Sequence, residues 1–137
     1  MKTFFDSSAL VKRYIQEQGS DKFNEIFQQS QNIFVSVICL PEIFCALNRL
    51  KREALINQKQ YISLKEFVLQ DFEGMSVCHL SSEVITQAIV LLENNPLRAM
   101  DAIHLACSLQ VKAGIFVTGD MKQAAVAKKF KQKIIQI

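Results

Sequence analysis

Four acids occupy positions in this 137-residue chain where carboxylates do chemistry: Asp6, Glu42, Asp101 and Asp120. Asp6 follows a short β-like run, Lys2 to Phe5. Glu42 stands in the opening turn of a helix, directly after Pro41. Asp101 lies among Ala99, Met100, Ala102 and Ile103, an apolar helix start that would partly bury it. Asp120 follows Phe116-Val117-Thr118-Gly119. Taken singly, each acid is explained as a helix N-terminal residue that caps free N–H groups and complements the dipole. Taken together they need more, because carboxylates held within a few ångströms repel one another and burial enlarges the effect. Divalent cations offset that repulsion. Mg²⁺ and Mn²⁺ prefer oxygen ligands, and such ions promote phosphodiester cleavage by activating water and stabilising the leaving oxygen. The same repulsion predicts at least one raised pKa in the metal-free protein, and Asp101→Asn is expected to relieve the strain.

The acids can act as a unit only if the elements that carry them bring them together. Strands are expected at 2–5, 32–35, 76–79 and 115–117, with a short fifth at 134–137. Helices are expected at 8–18, 21–29, from about 39, 58–72, 83–93, 99–112 and 122–130. Pro41 fits a first helical turn, Ser81 is a predicted N-cap, and Gly114 is expected to end the 99–112 helix. No repeat or linker divides the chain, so residues 1–137 are read as one domain. Strands alternating with helices imply a three-layer α/β/α fold around a parallel sheet of four to five strands. Ligand sites in such sheets lie beyond the carboxyl ends of the strands. Chain order places Asp6, Glu42 and Asp120 at that edge.

Composition narrows the function classes. Half of the residues are hydrophobic, enough for a core and too many for a disordered chain. No apolar run approaches the roughly 20 residues of a membrane span. The greasiest stretch, 33–47, is interrupted by Ser36, Pro41 and Glu42, and Asp6 follows too soon after Phe4-Phe5 for a signal peptide. A cytoplasmic location is therefore expected. Cys39, Cys45, Cys78 and Cys107 form no C-x-x-C pair and are expected to be buried, reduced thiols. The net charge is only +3, yet Lys122, Lys128, Lys129, Lys131 and Lys133 crowd a C-terminal segment without acids, and Arg49, Lys51 and Arg52 form a second basic group. Such patches suit a phosphate backbone and equally suit a solvated face.

Four segments together resemble the PIN domain, specifically the VapC-type toxins of bacterial toxin–antitoxin pairs. They are Phe5-Asp6-Ser7-Ser8-Ala9-Leu10-Val11-Lys12, Pro41-Glu42-Ile43, Leu97-Arg98-Ala99-Met100-Asp101-Ala102-Ile103-His104-Leu105-Ala106, and Phe116-Val117-Thr118-Gly119-Asp120. The third is the most specific, and the resemblance covers nearly the whole chain. It implies an Mg²⁺- or Mn²⁺-dependent endoribonuclease, a homodimer, an RNA substrate and a cognate antitoxin. Asp6, Glu42, Asp101 and Asp120 would then be catalytic, metal-holding acids, with Ser8 and Thr118 as polar support. The fourth acid varies in that family. Arg98 and Lys12 are candidate substrate contacts, and Arg13 is expected near the site or on a solvated helix face. His104, one turn beyond Asp101, is read as a hydrogen-bonded, half-buried histidine, so His104→Ala should keep most activity. The alternative function is a PIN-like module that binds RNA or a partner without chemistry. A phosphoacceptor receiver or a haloacid-dehalogenase-like phosphatase fits less well, since Ser7-Ser8 stands where those sites want a second acid.

Overall fold

The computed structural model describes residues 1–137. Lys2–Phe5 forms β1, paired in parallel with β2 (Asn32–Ser36) on one side and β4 (Ile115–Thr118) on the other. β3 (Ser76–Cys78) pairs with β2, and β5 (Lys133–Gln136) with β4. The five strands are all parallel, in the order β3-β2-β1-β4-β5. Helices α1 (Ser7–Tyr14) and α2 (Ser20–Gln29) link β1 to β2, and α3 (Cys39–Arg52) and α4 (Gln58–Glu73) link β2 to β3. Helices α5 (Ser82–Asn94) and α6 (Ala99–Gln110) lead back to β4, and α7 (Met121–Ala127) joins β4 to β5.

The three layers follow from that order. The chain steps outwards from β1 to β3, then returns across the sheet to β4 and β5. Right-handed crossovers put their helices on opposite faces when the direction of travel reverses. One core lies under the first four helices, where Phe5, Val35 and Val117 meet Leu10, Phe23, Ile43, Leu47 and Val68. The other lies under α5 to α7, where Phe4 and Phe116 meet Val84, Leu91, Leu105 and Val126. Neighbouring strand residues thus feed opposite cores, which is why Phe4 and Phe5, Phe34 and Val35, and Phe116 and Val117 are apolar side by side. The three-layer fold expected from the sequence is the one observed.

Several local expectations need correction. The first helix stops at Tyr14, not at 18; Ile15 is extended, and the chain re-enters α2 through Gly19 at φ 93°, a left-handed conformation that favours glycine. Helix α6 ends at Gln110, and its last carbonyls are closed by a turn through Lys112 (φ 56°), whose N–H donates to the Leu109 carbonyl. Gly114 instead makes room for the chain's first residue, since a Cβ there would lie 2.5 Å from the Met1 side chain. Helix α7 ends at Ala127 instead of 130, because Lys129 and Phe130 turn back onto the Val126 and Ala127 carbonyls to lead into β5. Cys45 is exposed, since α3 buries Cys39, Ile43 and Leu47 on one stripe and leaves Cys45 outside it. Burial pushes the Cys39 and Cys107 thiols up to about 12, so neither is a nucleophile at neutral pH.

Arg13 also leaves its expected place. It makes a two-pronged pair with Asp71 of α4 (2.5 and 3.1 Å), and the Tyr14 hydroxyl donates to the same carboxylate at 2.8 Å. The guanidinium lies between the Phe27 and Phe67 rings, 4.2 and 5.0 Å from their centroids. This partly buried cluster pins α1, which Asp6 caps, to the outer helices. Asp71→Ala leaves a guanidinium and a phenol without their acceptor and is expected to destabilise the fold by roughly 2–4 kcal/mol. Urea denaturation measures this, and a change under about 0.5 kcal/mol would make the pair a surface ornament.

Candidate active site

Asp6 ends β1 and caps α1. The residue is 3% exposed, and both of its carboxylate oxygens accept hydrogen bonds. The Ser8 hydroxyl (2.7 Å) and the Ala9 N–H (3.0 Å) donate to Oδ1, and the Thr118 hydroxyl (2.5 Å) donates to Oδ2. Burial raises its pKa above the ordinary Asp value, against the neighbouring His104 and the three hydrogen bonds, which favour the ionised form. Ser8 and Thr118, expected as polar support for the four acids, both donate to this one. Ser8 Oγ also accepts from the Gly119 N–H at 2.9 Å, and Thr118 Oγ1 from the Asp120 N–H at 3.0 Å.

Glu42, in the first turn of α3, accepts from the Ser7 hydroxyl (2.7 Å) at Oε1, and His104 Nε2 lies 2.5 Å from the same atom. Ser7 Oγ and His104 Nε2 are 3.0 Å apart, so the three groups form a closed triangle. Partial burial raises the Glu42 pKa, but the hydrogen bonds from His104 and Ser7 and the charges of His104 and Arg98 outweigh it, and the net shift is downward. His104 is 2% exposed, not half-buried, and its Nδ1 is buried without a partner. The sequence made it a hydrogen-bonded, half-buried histidine one turn beyond Asp101. The structure makes it the group that orients Glu42. The available signal was its position one turn after Asp101 on a helix whose start faces the sheet edge. Ser7 was missed because a serine at a helix start passes for a routine capping residue.

Asp101, in the first turn of α6, accepts from Arg98 Nε at Oδ2 (3.2 Å). Asp120 caps α7 by accepting the Lys122 and Gln123 N–H groups at Oδ1 (2.8 and 3.1 Å). Its Oδ2 lies 3.7 Å from Arg98 Nη2. All four acids line one cleft of about 210 Å³, together with Ser7, Ser8, Arg98 and His104. A wider basin of about 750 Å³ adjoins it, lined by Arg98, Asp101, Gly119, Asp120 and Lys122 among others. Lys12 lines neither. Its ammonium donates to Glu17 (3.2 Å) and to the Gln18 carbonyl (2.7 Å), and its stem packs over Gly119.

The donor set suits a hard divalent cation. Glu42 Oε2 and Asp101 Oδ1 accept no hydrogen bond, and Asp120 Oδ2 faces only the Arg98 guanidinium. Three carboxylates thus keep an oxygen available in one cleft beside the buried Asp6. No group of three or more His, Cys, Asp or Glu side chains is drawn close enough to cage an ion alone. The cleft thus offers oxygen donors without a closed all-protein cage.

Fold and site together define an α/β/α protein with an acid-lined cleft beyond the ends of β1 and β4, where the strand order of its parallel sheet reverses. The chain belongs to the PIN domain family, whose model matches residues 3–129. It is similar in fold to VapC20 of Mycobacterium tuberculosis, a toxin that cleaves the sarcin–ricin loop (TM-score 0.69, 15% identity, covering 90% of this chain and 93% of that one). It is similar also to a toxin–antitoxin complex from Klebsiella pneumoniae (0.68, 15%, 90% and 90%). A third is VapBC2 from Rickettsia felis, bound to a DNA fragment from its promoter (0.70, 13%, 99% and 98%). At these identities the likeness is one of fold. No curated protein matches the chain in sequence.

The raised pKa expected of at least one of the acids falls on Asp6, and its cause is burial, with no neighbouring carboxylate contributing. A raised folded pKa means that the stability tied to the protonated form is complete below the unfolded value, about 3.9, and is lost as pH rises through the folded one. Glu42 has the opposite sign: its contribution is present above the ordinary Glu range and is lost as pH falls through its lowered value. Between about pH 5 and 8 the Glu42 contribution is constant, so Asp6 sets the difference. In EDTA, Asp6→Asn is expected to gain on wild type in Tm as pH rises above the unfolded Asp value and through the raised folded one. Parallel Tm curves would place the strain elsewhere.

Proposed function

We propose that this protein is a divalent-metal-dependent endoribonuclease, the toxin of a toxin–antitoxin pair, acting in the cytoplasm as a homodimer. The observation that carries this reading is the cleft in which Glu42, Asp101 and Asp120 each keep an oxygen available beside the buried Asp6. In this reading all four acids hold Mg²⁺ or Mn²⁺. When bound, such an ion lowers the pKa of water and offsets charge on the scissile phosphate. Ser8 and Thr118 fix the Asp6 carboxylate, while Ser7 and His104 hold one Glu42 oxygen and leave the other to the cleft. His104 is then a positioning residue. Arg98, 83% exposed at the rim, receives a phosphate, and Lys122 extends positive charge into the adjoining basin. Lys128, Lys129, Lys131 and Lys133 are exposed on the C-terminal segment and supply a further field for a polyanion. Lys12 is dropped from the substrate contacts, because its ammonium is occupied elsewhere.

RNA in single-stranded or looped form is the favoured substrate, since its backbone can be splayed for attack. The toxin and toxin–antitoxin structures of like fold support the toxin reading and a cognate antitoxin. Exposed apolar side chains support protein contacts: Ile62, Phe67 and Leu69 on α4, and Ile85, Ile89, Val90 and Leu92 on α5. No helix is long and apolar enough to cross a membrane.

Purified protein is expected to cut such RNA in Mn²⁺ or Mg²⁺ and to stop in EDTA. Asp6→Ala, Glu42→Ala and Asp101→Ala should each abolish cutting, and combining them should add little. His104→Ala, if folded, should lose about 10- to 100-fold. Cleavage that persists in EDTA, with contaminating nucleases excluded, overturns the metal mechanism. RNA binding without cleavage, and without any response to Mn²⁺, makes the protein a non-catalytic binding module.

A further inference from the structure

Arg98 is the only lysine or arginine that lines the acidic cleft. It is the N-cap residue of α6, yet its side chain makes no capping bond and instead lies across two acids from different elements. Nε is 3.2 Å from Asp101 Oδ2, at the start of α6, and Nη2 is 3.7 Å from Asp120 Oδ2, at the start of α7. The side chain is 83% exposed and stacks on no aromatic ring. Exposed ion pairs of this kind are weak and exchange readily. The same guanidinium lines the adjoining basin, where Lys122 is the only other cation.

We propose that Arg98 is a built-in counter-ion that competes with the divalent cation for Asp101 and Asp120, and that the cation releases it to hold a neighbouring RNA phosphate in the adjoining basin. The proposal rests on the metal-nuclease reading above. With Arg98 in place, the cleft lacks three carboxylates drawn together as a cage. A positive charge beside two carboxylates lowers their attraction for a second, divalent charge. Once displaced, a planar guanidinium with several donors suits a phosphate better than it suits open solvent. Cation and RNA then reinforce each other, and that coupling is reciprocal.

Mn²⁺ binding to the full chain without RNA, followed by electron paramagnetic resonance, tests the competition directly. Arg98→Gln is expected to bind Mn²⁺ about 5-fold tighter than wild type or better, whereas Arg98→Lys, which keeps the charge, stays near wild type. Asp101→Asn should bind more weakly. At saturating Mn²⁺, Arg98→Gln should raise the KM for single-stranded RNA. Arg98→Ala repeats the measurement with a different neutral side chain if Arg98→Gln does not fold. Equal or weaker Mn²⁺ binding by the neutral variants, with wild type binding well, overturns the role of Arg98 and leaves the metal reading intact. No Mn²⁺ binding by wild type or any Arg98 variant up to millimolar concentration overturns both.

Discussion

The buried Asp6 carboxylate ties three elements into one structure. A charge in a 3%-exposed position is costly unless hydrogen bonds replace its water. Here the replacements come from the first turn of α1 and from the end of β4, a strand 112 residues further along the chain. They exist only when β1 and β4 lie side by side in register. The network continues outward, since Ser8 also receives the Gly119 N–H and Thr118 the Asp120 N–H. Gly119 permits this closeness: a Cβ there would sit 3.0 Å from the Ser8 carbonyl oxygen. The turn that delivers Asp120 is thus held by the same hydroxyls that solvate Asp6.

Two carboxylates of one cleft are driven in opposite directions. Asp6 is short of water and its pKa rises; Glu42 has a histidine, a serine and a nearby arginine, and its pKa falls. Environments that separate the behaviour of like groups mark sites where charge does work. Each acid stands at its own helix start, which alone would suit a capping role. This fold also gathers those starts round one cleft, where the strand order reverses, with the exposed guanidinium of Arg98 and the buried imidazole of His104 among them. The outer anchors, Arg13 and Asp71 above all, hold α1 in place while its N-terminus carries that load.

The strand and helix order, the parallel sheet and three of the four acids at its carboxyl edge were legible in the chain. Each is written locally. A strand buried on both faces shows as a continuous apolar run, and the acid that follows it marks the helix start. The ends of helices were less legible, because Lys112 and Gly19 close or open helices through left-handed conformations, one in a residue type that gives no warning. Cys45 and Arg13 were misplaced because one face of a helix cannot be told from the other until its neighbours are known.

What the sequence determined by itself was therefore the kind of molecule: an alternating α/β chain, too apolar to be disordered, with oxygen donors at the positions where such sheets bind ligands. Tertiary structure alone decided the partnerships. His104 meets Glu42 across 62 residues and Ser7 across 97. Arg98 bridges the starts of two helices, and Lys12 turns away from the cleft that its position in the chain suggested. Such contacts depend on strand order and crossover hand, which juxtapose segments with no local signal of each other. The physical reason is range: periodicity and capping act within a turn or a strand, whereas the solvation of a buried charge is settled by whatever the whole fold packs against it.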